Sequence, residues 1–228
     1  ITAIPELLNL IDIRGTTITI DALGCQKEIA SIIKDKGGEY ILSVKDNHPT
    51  LHNDIKTTFK AMENKKAFTM NYQETNKGHG RIETRTTYVC DDLSLLRTRC
   101  EWENLSYIAM VYSKRTVISS NYTSHEYRYY IGSHTNPDPK KVATHIRGHW
   151  EIENKLHWVL DMAFREDESR HRNKNCAANL AILRHFALNL IRMDKTRKVG
   201  VANKRKLACC NKEYLVHLLT GCLDDVSF

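Results

Sequence analysis

The chain has 228 residues, 41% of them hydrophobic and 27% charged, which suffices for the packed core of one domain, or one enlarged by an insertion, and excludes a disordered tail. Lysine and arginine number 34 against 27 aspartates and glutamates, a formal charge of +7 that favours polyanionic partners. No apolar run approaches the roughly 20 residues of a bilayer span, no basic start precedes an apolar signal core, and the odd seven cysteines hold no C-x-x-C pair, so a soluble protein of the reduced cytoplasm is expected.

The periodic segment Ile4 to Leu10 opens the chain. It is followed by TTITIDALG, where Thr and Ile alternate before an Asp and a Gly. Such a half-buried strand ends in a functional loop, with Asp21 at its C-terminal end. Gln26 to Lys36 places Ile29, Ala30, Ile32 and Ile33 on one helical face, Gly37-Gly38 stops the helix, and YILSVK starts a second strand. This is a β-α-β unit, which favours parallel strands and gathers functional groups at the strand C-termini. Asp21 and the loop Lys45-Asp46-Asn47-His48 both fall there.

A helix is predicted from about Thr50 to Met62, and then the character changes. RIETRTTYV, LSYIAMVYSKRTV and HEYRYYIGS read as strands rich in β-branched residues and Tyr. Within RIETR, alternation puts Arg81, Glu83 and Arg85 on one side, the pattern of a cross-strand charge ladder. Helices return after Pro139, first one long helix through KKVATHIRGHWEIENKLHWVLDMAF, then CAANLAILRHFALNLIRM; Gly200 and the basic stretch Asn203 to Lys206 lead into a short final helix. The expected divisions are 1–66, a first part of an α/β core; 67–138, a β-rich insertion; 139–195, the second part of the core; and 196–228, a basic helical tail.

On the long helix, 3.6 periodicity puts Trp150, Glu153, Asn154, His157 and Asp161 on one broad face, with His149 a turn before Glu153 and His157 a turn after. A solvated polar stripe is the plain reading. Trp150 and Trp158 beside a carboxylate and two imidazoles argue instead for a lined cleft. The spacing is not the H-E-x-x-H of zinc proteases, and neither a G-x-S-x-G elbow nor a phosphate-binding G-x-x-x-x-G-K occurs.

TIDALGCQ, GGEYILSVKDNHPTL, GHGRIETR and RGHWEIENKLHWVLDMAFREDESR, in this order and at these gaps, resemble the DDE (Asp-Asp-Glu) insertion-sequence transposases, in the branch that includes the H-repeat-associated proteins. The resemblance runs over almost the whole chain. It implies an α/β, RNase H-like mixed sheet with flanking helices, interrupted by a β-rich insertion. It further implies that Asp21 is the family's second catalytic Asp and that Glu153 is its Glu. The wider superfamily surrounds that Glu with Tyr-x-x-Arg-x-x-x-Glu-x-x-x-x-x-x-Lys; here Ile146, His149 and Leu160 stand at the Tyr, Arg and Lys positions. The family's first Asp lies on the opening strand of the fold, and Asp12, the sole Asp before Asp21, does not match it. The first strands, with that Asp, are therefore expected to be missing from this chain.

In such enzymes DNA is cut and rejoined by in-line attack on a phosphodiester. Carboxylate ligands suit two Mg²⁺ or Mn²⁺ ions, which stabilise the entering and leaving oxygens. The expected partners are DNA, both the insertion-sequence ends and the target, in a nucleoid-associated setting, with homo-oligomers left open. Lys45, Asn47, His48, Arg147, His149, Trp150, Asn154, His157, Arg170 and Arg172 are the candidate DNA contacts, and the basic loop 171–175 directly follows the Glu helix. The competing expectation is a DNA-binding remnant of a transposase without catalysis.

Overall fold

The computed structural model describes residues 3–65, 70–78 and 80–221 and forms two compact units, Ile1–His149 and Trp150–Phe228. His79 of the GHGRIETR motif, the opening of the expected insertion and Cys222 lie outside the described residues.

In the first unit, helix α1 (Ala3–Leu10) leads to strand β1 (Thr17–Ile20), helix α2 (Lys27–Asp35) and strand β2 (Glu39–Val44). Strands β1 and β2 pair in parallel, Thr17 opposite Glu39 and Ile20 opposite Leu42, as the β-α-β reading expected. Gly37 adopts a φ of +75°, a backbone conformation that costs a residue without Cβ little, and it ends α2 cleanly. Lys34 and Glu39 then join the helix to β2 at 2.7 Å.

After α3 (Pro49–Asn64) come four antiparallel strands, β3 (Asn71–Gly78), β4 (Arg81–Cys90), β5 (Tyr107–Val117) and β6 (Tyr122–Gly132). β6 pairs antiparallel with β2, Val44 opposite Tyr129, so the β-rich stretch continues the sheet begun by β1 and β2. The order is β1-β2-β6-β5-β4-β3, a six-stranded mixed sheet. β3 was not singled out in the sequence because NYQETNKG is polar throughout, and its burial alternates only over its first half.

Period-two alternation gives the sheet two apolar faces. Tyr40, Leu42, Val44, Ile108, Met110 and Ile131 pack under α1, α2 and α3, with Ile29, Ile33, Leu51, Ile55 and Phe59 as the facing helical residues. Ile41, Val89, Tyr107, Ala109, Val111 and Tyr130 form the opposite face, covered by Val142 and Ile146 of α4 (Pro139–His149). Asp54 of α3, 5% exposed, ties down the connection after β4 by accepting hydrogen bonds from Arg97 Nη2 (2.7 Å) and Arg97 N (3.0 Å).

The second unit holds α5 (Trp158–Phe164), α6 (Cys176–Met193), α7 (Val201–Cys210) and α8 (Lys212–Thr220). The single long helix of the sequence reading is not continuous. α4 stops at His149, Trp150 is a turn, and Glu153–His157 is π-helical, with Trp158 N–H bonding Glu153 O five residues back. Gly148, a poor helix former, precedes the break, and the i→i+5 bonds replace the α pattern beyond it. The 3.6 wheel that aligned His149, Glu153 and His157 therefore does not carry across this segment. The short final helix is likewise two helices, α7 and α8, capped between them by Asn211, whose Oδ1 accepts from Tyr214 N.

Ile191, Tyr214 and Leu218 form a buried apolar cluster in this unit. Beside them Asp194 is fully buried and accepts from Thr196 Oγ1 (2.6 Å), Thr196 N (2.9 Å), Tyr214 OH (2.8 Å) and Lys204 Nζ (3.0 Å). Lys204 also donates to the carbonyls of Ile191 (3.3 Å) and Asp194 (2.5 Å), satisfying the C-terminus of α6. A residue of the expected basic tail is thus an internal cap.

Candidate active site

Asp21 follows β1 directly and caps a single 3-10 turn, Ala22–Gly24, its Oδ1 accepting from Gly24 N at 3.2 Å. The side chain is exposed. The turn must pass close over β1: a Cβ on Gly24 would lie 2.4 Å from Ile20 Cγ2 and 3.0 Å from Ile4 Cδ1. Glycine is the one residue that fits there, so the position of Asp21 is set by packing beneath it.

Because β1 and β2 are parallel neighbours, the loops that leave them emerge at the same end of the sheet. The structure joins the two loops. Asn47 Nδ2 donates to Ala22 O at 2.6 Å, and His48 Nε2 donates to Cys25 O, also at 2.6 Å. His48 in turn sits edge-on to buried Trp102, ring centroids 5.2 Å apart, and Asp46 accepts from His52 Nδ1 at 2.9 Å. Two expected DNA contacts, Asn47 and His48, thus spend these side-chain donors on the turn that carries Asp21. Lys45 is exposed on the same loop.

Cys25 is completely buried at the end of this turn, and burial pushes its thiol up to about 12. Burial of this kind suppresses the thiolate, the form in which a cysteine attacks or binds metal.

α4 brings two more expected residues to this unit. His149 Nδ1 and Thr19 Oγ1, two residues before Asp21, share a 3.2 Å hydrogen bond. Further along the same edge, Thr17 Oγ1 meets His134 Nε2 at 2.9 Å, and His134 stacks on His145 of α4 at 5.8 Å. Arg147 is half exposed, its Nε 3.7 Å from Glu74 Oε1 on β3. Sequence reasoning missed Thr19, Trp102 and His134. The alternation of Thr in TTITI was the available signal, since it set a polar row along one side of β1.

In the second unit, Glu153, Asn154 and His157 are exposed on the π-helical turn, and Trp150 is 37% exposed just before it. Asn154 Nδ2 and N both donate to Trp150 O, at 3.0 and 3.2 Å. A π-helical turn recurs at functional sites, because its wider path re-aims the side chains it carries. Two positions where the chain departs from the superfamily pattern are core residues: Ile146 is 7% exposed and Leu160 fully buried, each within its own unit. Arg170 and Arg172 are exposed on the loop between α5 and α6.

Asp21 and Glu153 offer hard carboxylate oxygens, a chemistry that suits Mg²⁺ or Mn²⁺. Among the described residues no group of three or more His, Cys, Asp or Glu side chains converges on one point. Asp12 is exposed and bound to Arg14 at 2.6 Å. No helix among the described residues is long and apolar enough to cross a membrane.

Comparison with known proteins places this chain in a family. The model for the "Transposase DDE domain" matches residues 1–190. Among curated relatives, "Putative protein YbfL" of Escherichia coli K12 is 40% identical over 97% of the chain and 59% of its own length. "H repeat-associated putative transposase YhhI" of the same strain is 39% identical over the same shares. "Putative transposase YncI" of Escherichia coli O157:H7 is 42% identical over 97% of the chain and 57% of its own length. The chain thus spans somewhat under three fifths of these relatives. No solved structure matches. The mixed six-stranded sheet with flanking helices and the motif order agree with that match, and the chain belongs to the DDE transposase family.

Proposed function

We propose that this chain is part of the RNase H-like catalytic core of an insertion-sequence transposase, which cleaves DNA at the element's ends and transfers the freed strand to target DNA. Asp21 and Glu153 are its second Asp and its Glu. The observation that carries the reading is the Asp21 turn, held at the C-terminal end of β1 by Gly24 and by the Asn47 and His48 hydrogen bonds, inside a family match covering residues 1–190.

Two divalent ions held by such carboxylates would supply charge stabilisation for in-line attack on a phosphodiester and would lower the pKa of the attacking group. The residues of this chain divide the remaining work. Asp21 and Glu153 supply oxygen ligands, while Asn47 and His48 hold the Asp21 turn. Lys45, Arg170 and Arg172 place phosphates, and Trp150, Asn154 and His157 line the DNA strand beside Glu153. No residue here is assigned to the family's first Asp. With two carboxylates in place of three, strand transfer by this chain alone is expected to be weak or absent. The competing reading is a DNA-binding remnant of a transposase without catalysis.

The test is nicking and strand transfer on duplexes carrying the element's terminal repeats, in Mg²⁺ and in Mn²⁺, together with calorimetric titration of Mn²⁺. Any activity is expected to fall at least a hundredfold, and Mn²⁺ binding to weaken, in Asp21→Asn and in Glu153→Gln. Activity that survives either substitution sinks the assignment of that carboxylate. Tight DNA binding without turnover supports the remnant reading, and robust turnover would place a third ligand within these residues.

A further inference from the structure

The α4 side of the outer sheet carries a charge array that the site above does not use. Alternation puts Arg81, Glu83 and Arg85 of β4 on the same face as Val89, which packs under α4. Register sets Glu74 of β3 opposite Arg85 and Arg115 of β5 opposite Glu83, and α4 adds Arg147.

Glu83 reaches Arg85 at 2.5 Å and Arg115 at 3.4 Å, and Glu74 reaches Arg85 at 3.6 Å and Arg147 at 3.7 Å. Two carboxylates thus hold three guanidiniums, Arg81 adds a further cation, and on the same face Glu126 of β6 pairs with Arg128 at 2.7 Å, which leaves five arginines against three glutamates. Arg85 is the anchor, its side chain 22% exposed and its Nη1 buried without a hydrogen-bond partner. Arg115 and Arg147 are 45% and 50% exposed. Their contacts are longer than the roughly 2.7–2.9 Å of a charge-assisted hydrogen bond, so each retains donors for another anion.

A ladder serving the sheet alone would balance its charges, and each exposed pair would contribute only about 0.2–1 kcal/mol. This one instead leaves a surplus of guanidinium, whose planar fork matches phosphate geometry, on a strand face framed by α4. We infer that this face is a docking surface for the phosphodiester backbone of duplex DNA, on which Arg115 and Arg147 exchange Glu83 and Glu74 for phosphate oxygens. Glu74 is the latch that occupies Arg147 in the unbound protein. The inference rests on the DNA-directed reading above and extends it to Arg81, Arg85, Arg115 and Glu74, which by sequence pattern belong to a structural ladder.

The experiment is fluorescence anisotropy of a labelled random-sequence duplex titrated at several NaCl concentrations, with thermal melts as the folding control. Each phosphate contact contributes about 0.9 to the slope of log K against log salt, so Arg115→Gln with Arg147→Gln should reduce the slope by about 1.8. The corresponding double Lys variant keeps the charge and should keep the slope. Glu74→Gln should tighten binding several-fold, an effect opposite to that of weakening a purely structural ladder; it also carries the test should the Gln pair fail to fold. Wild-type binding with the slope unchanged in the folded Gln pair overturns this surface and leaves the DNA reading intact, as does weaker or unaltered binding by Glu74→Gln. A wild-type chain that binds no duplex overturns both.

Discussion

Asn47, on the loop after β2, donates its side-chain amide to the carbonyl of Ala22, the residue that follows Asp21, at 2.6 Å. A side chain from one strand end therefore holds the turn at the neighbouring one, and the expected carboxylate ligand depends on a residue that need not touch DNA. Asn47→Ala is expected to cost about 1 kcal/mol, the usual net worth of such a bond. His48→Ala, which also leaves Cys25 O unpaired and Trp102 uncovered, should cost about 1–3 kcal/mol. Thermal melts should fall by about 2–4 °C per kcal/mol. If both variants melt with the wild type, the two loops are not tied in solution.

Gly24→Ala forces a methyl group to within 2.4 Å of Ile20 Cγ2, and the turn has to lift off β1. Overpacking of this kind costs about 1–3 kcal/mol. Because Asp21 caps the same turn, Mn²⁺ binding should weaken along with stability. A stability loss with unchanged Mn²⁺ binding would separate Asp21 from the metal.

Acid should unfold the protein through two buried aspartates. Burial alone would raise the pKa of Asp194, but hydrogen bonds from Thr196, Tyr214 and Lys204 outweigh it and hold the carboxyl well below its usual range. The Arg97 side chain does the same for Asp54. For a depressed carboxylate, the stability it contributes is complete above the unfolded-state value near ~3.9 and is lost as pH falls towards the folded value. Asp194→Asn should therefore flatten the loss of stability below about pH 4. Lys204→Met leaves the Asp194 carboxylate buried without its cation and should destabilise α6 to α8 by about 3–5 kcal/mol at neutral pH. A Lys204→Met chain that melts normally would show that this cluster does not hold the helices together.

Thiol labelling should follow burial. Cys100, Cys209 and Cys210 are exposed and should react first in the native protein, whereas Cys25 and Cys90 are buried with raised thiols. Peptide mapping that finds Cys25 labelled as early as Cys209 would mean that the Asp21 turn opens readily.

Local pattern was a good guide wherever neighbouring residues decide the conformation. TTITI became β1, the Ile-rich face of residues 26–36 became α2, and residues 176–193 became α6, since strand alternation and a clean helical face are properties of the segment itself. It was a poor guide to NYQETNKG, which is a strand because β4 offers a ladder to pair with. The helix around Glu153 fell between the two. Its helical character was legible, but the break at Trp150 and the π-helical turn depend on backbone bonding that periodicity does not encode.

The candidate residues divide in the same way. From its residues alone the chain determined that Asp21 would end a strand and that its motifs belong with DDE transposases, because strand ends and motif order are linear properties. Only the tertiary structure decided that β6 would pair with β2, that Asn47 and His48 would support the Asp21 turn, and that Lys204 of a basic stretch would be buried on Asp194. The physical reason is common to all three: a hydrogen bond or ion pair between sequence-distant groups forms only once packing has brought both partners out of water, and composition cannot specify which groups those will be.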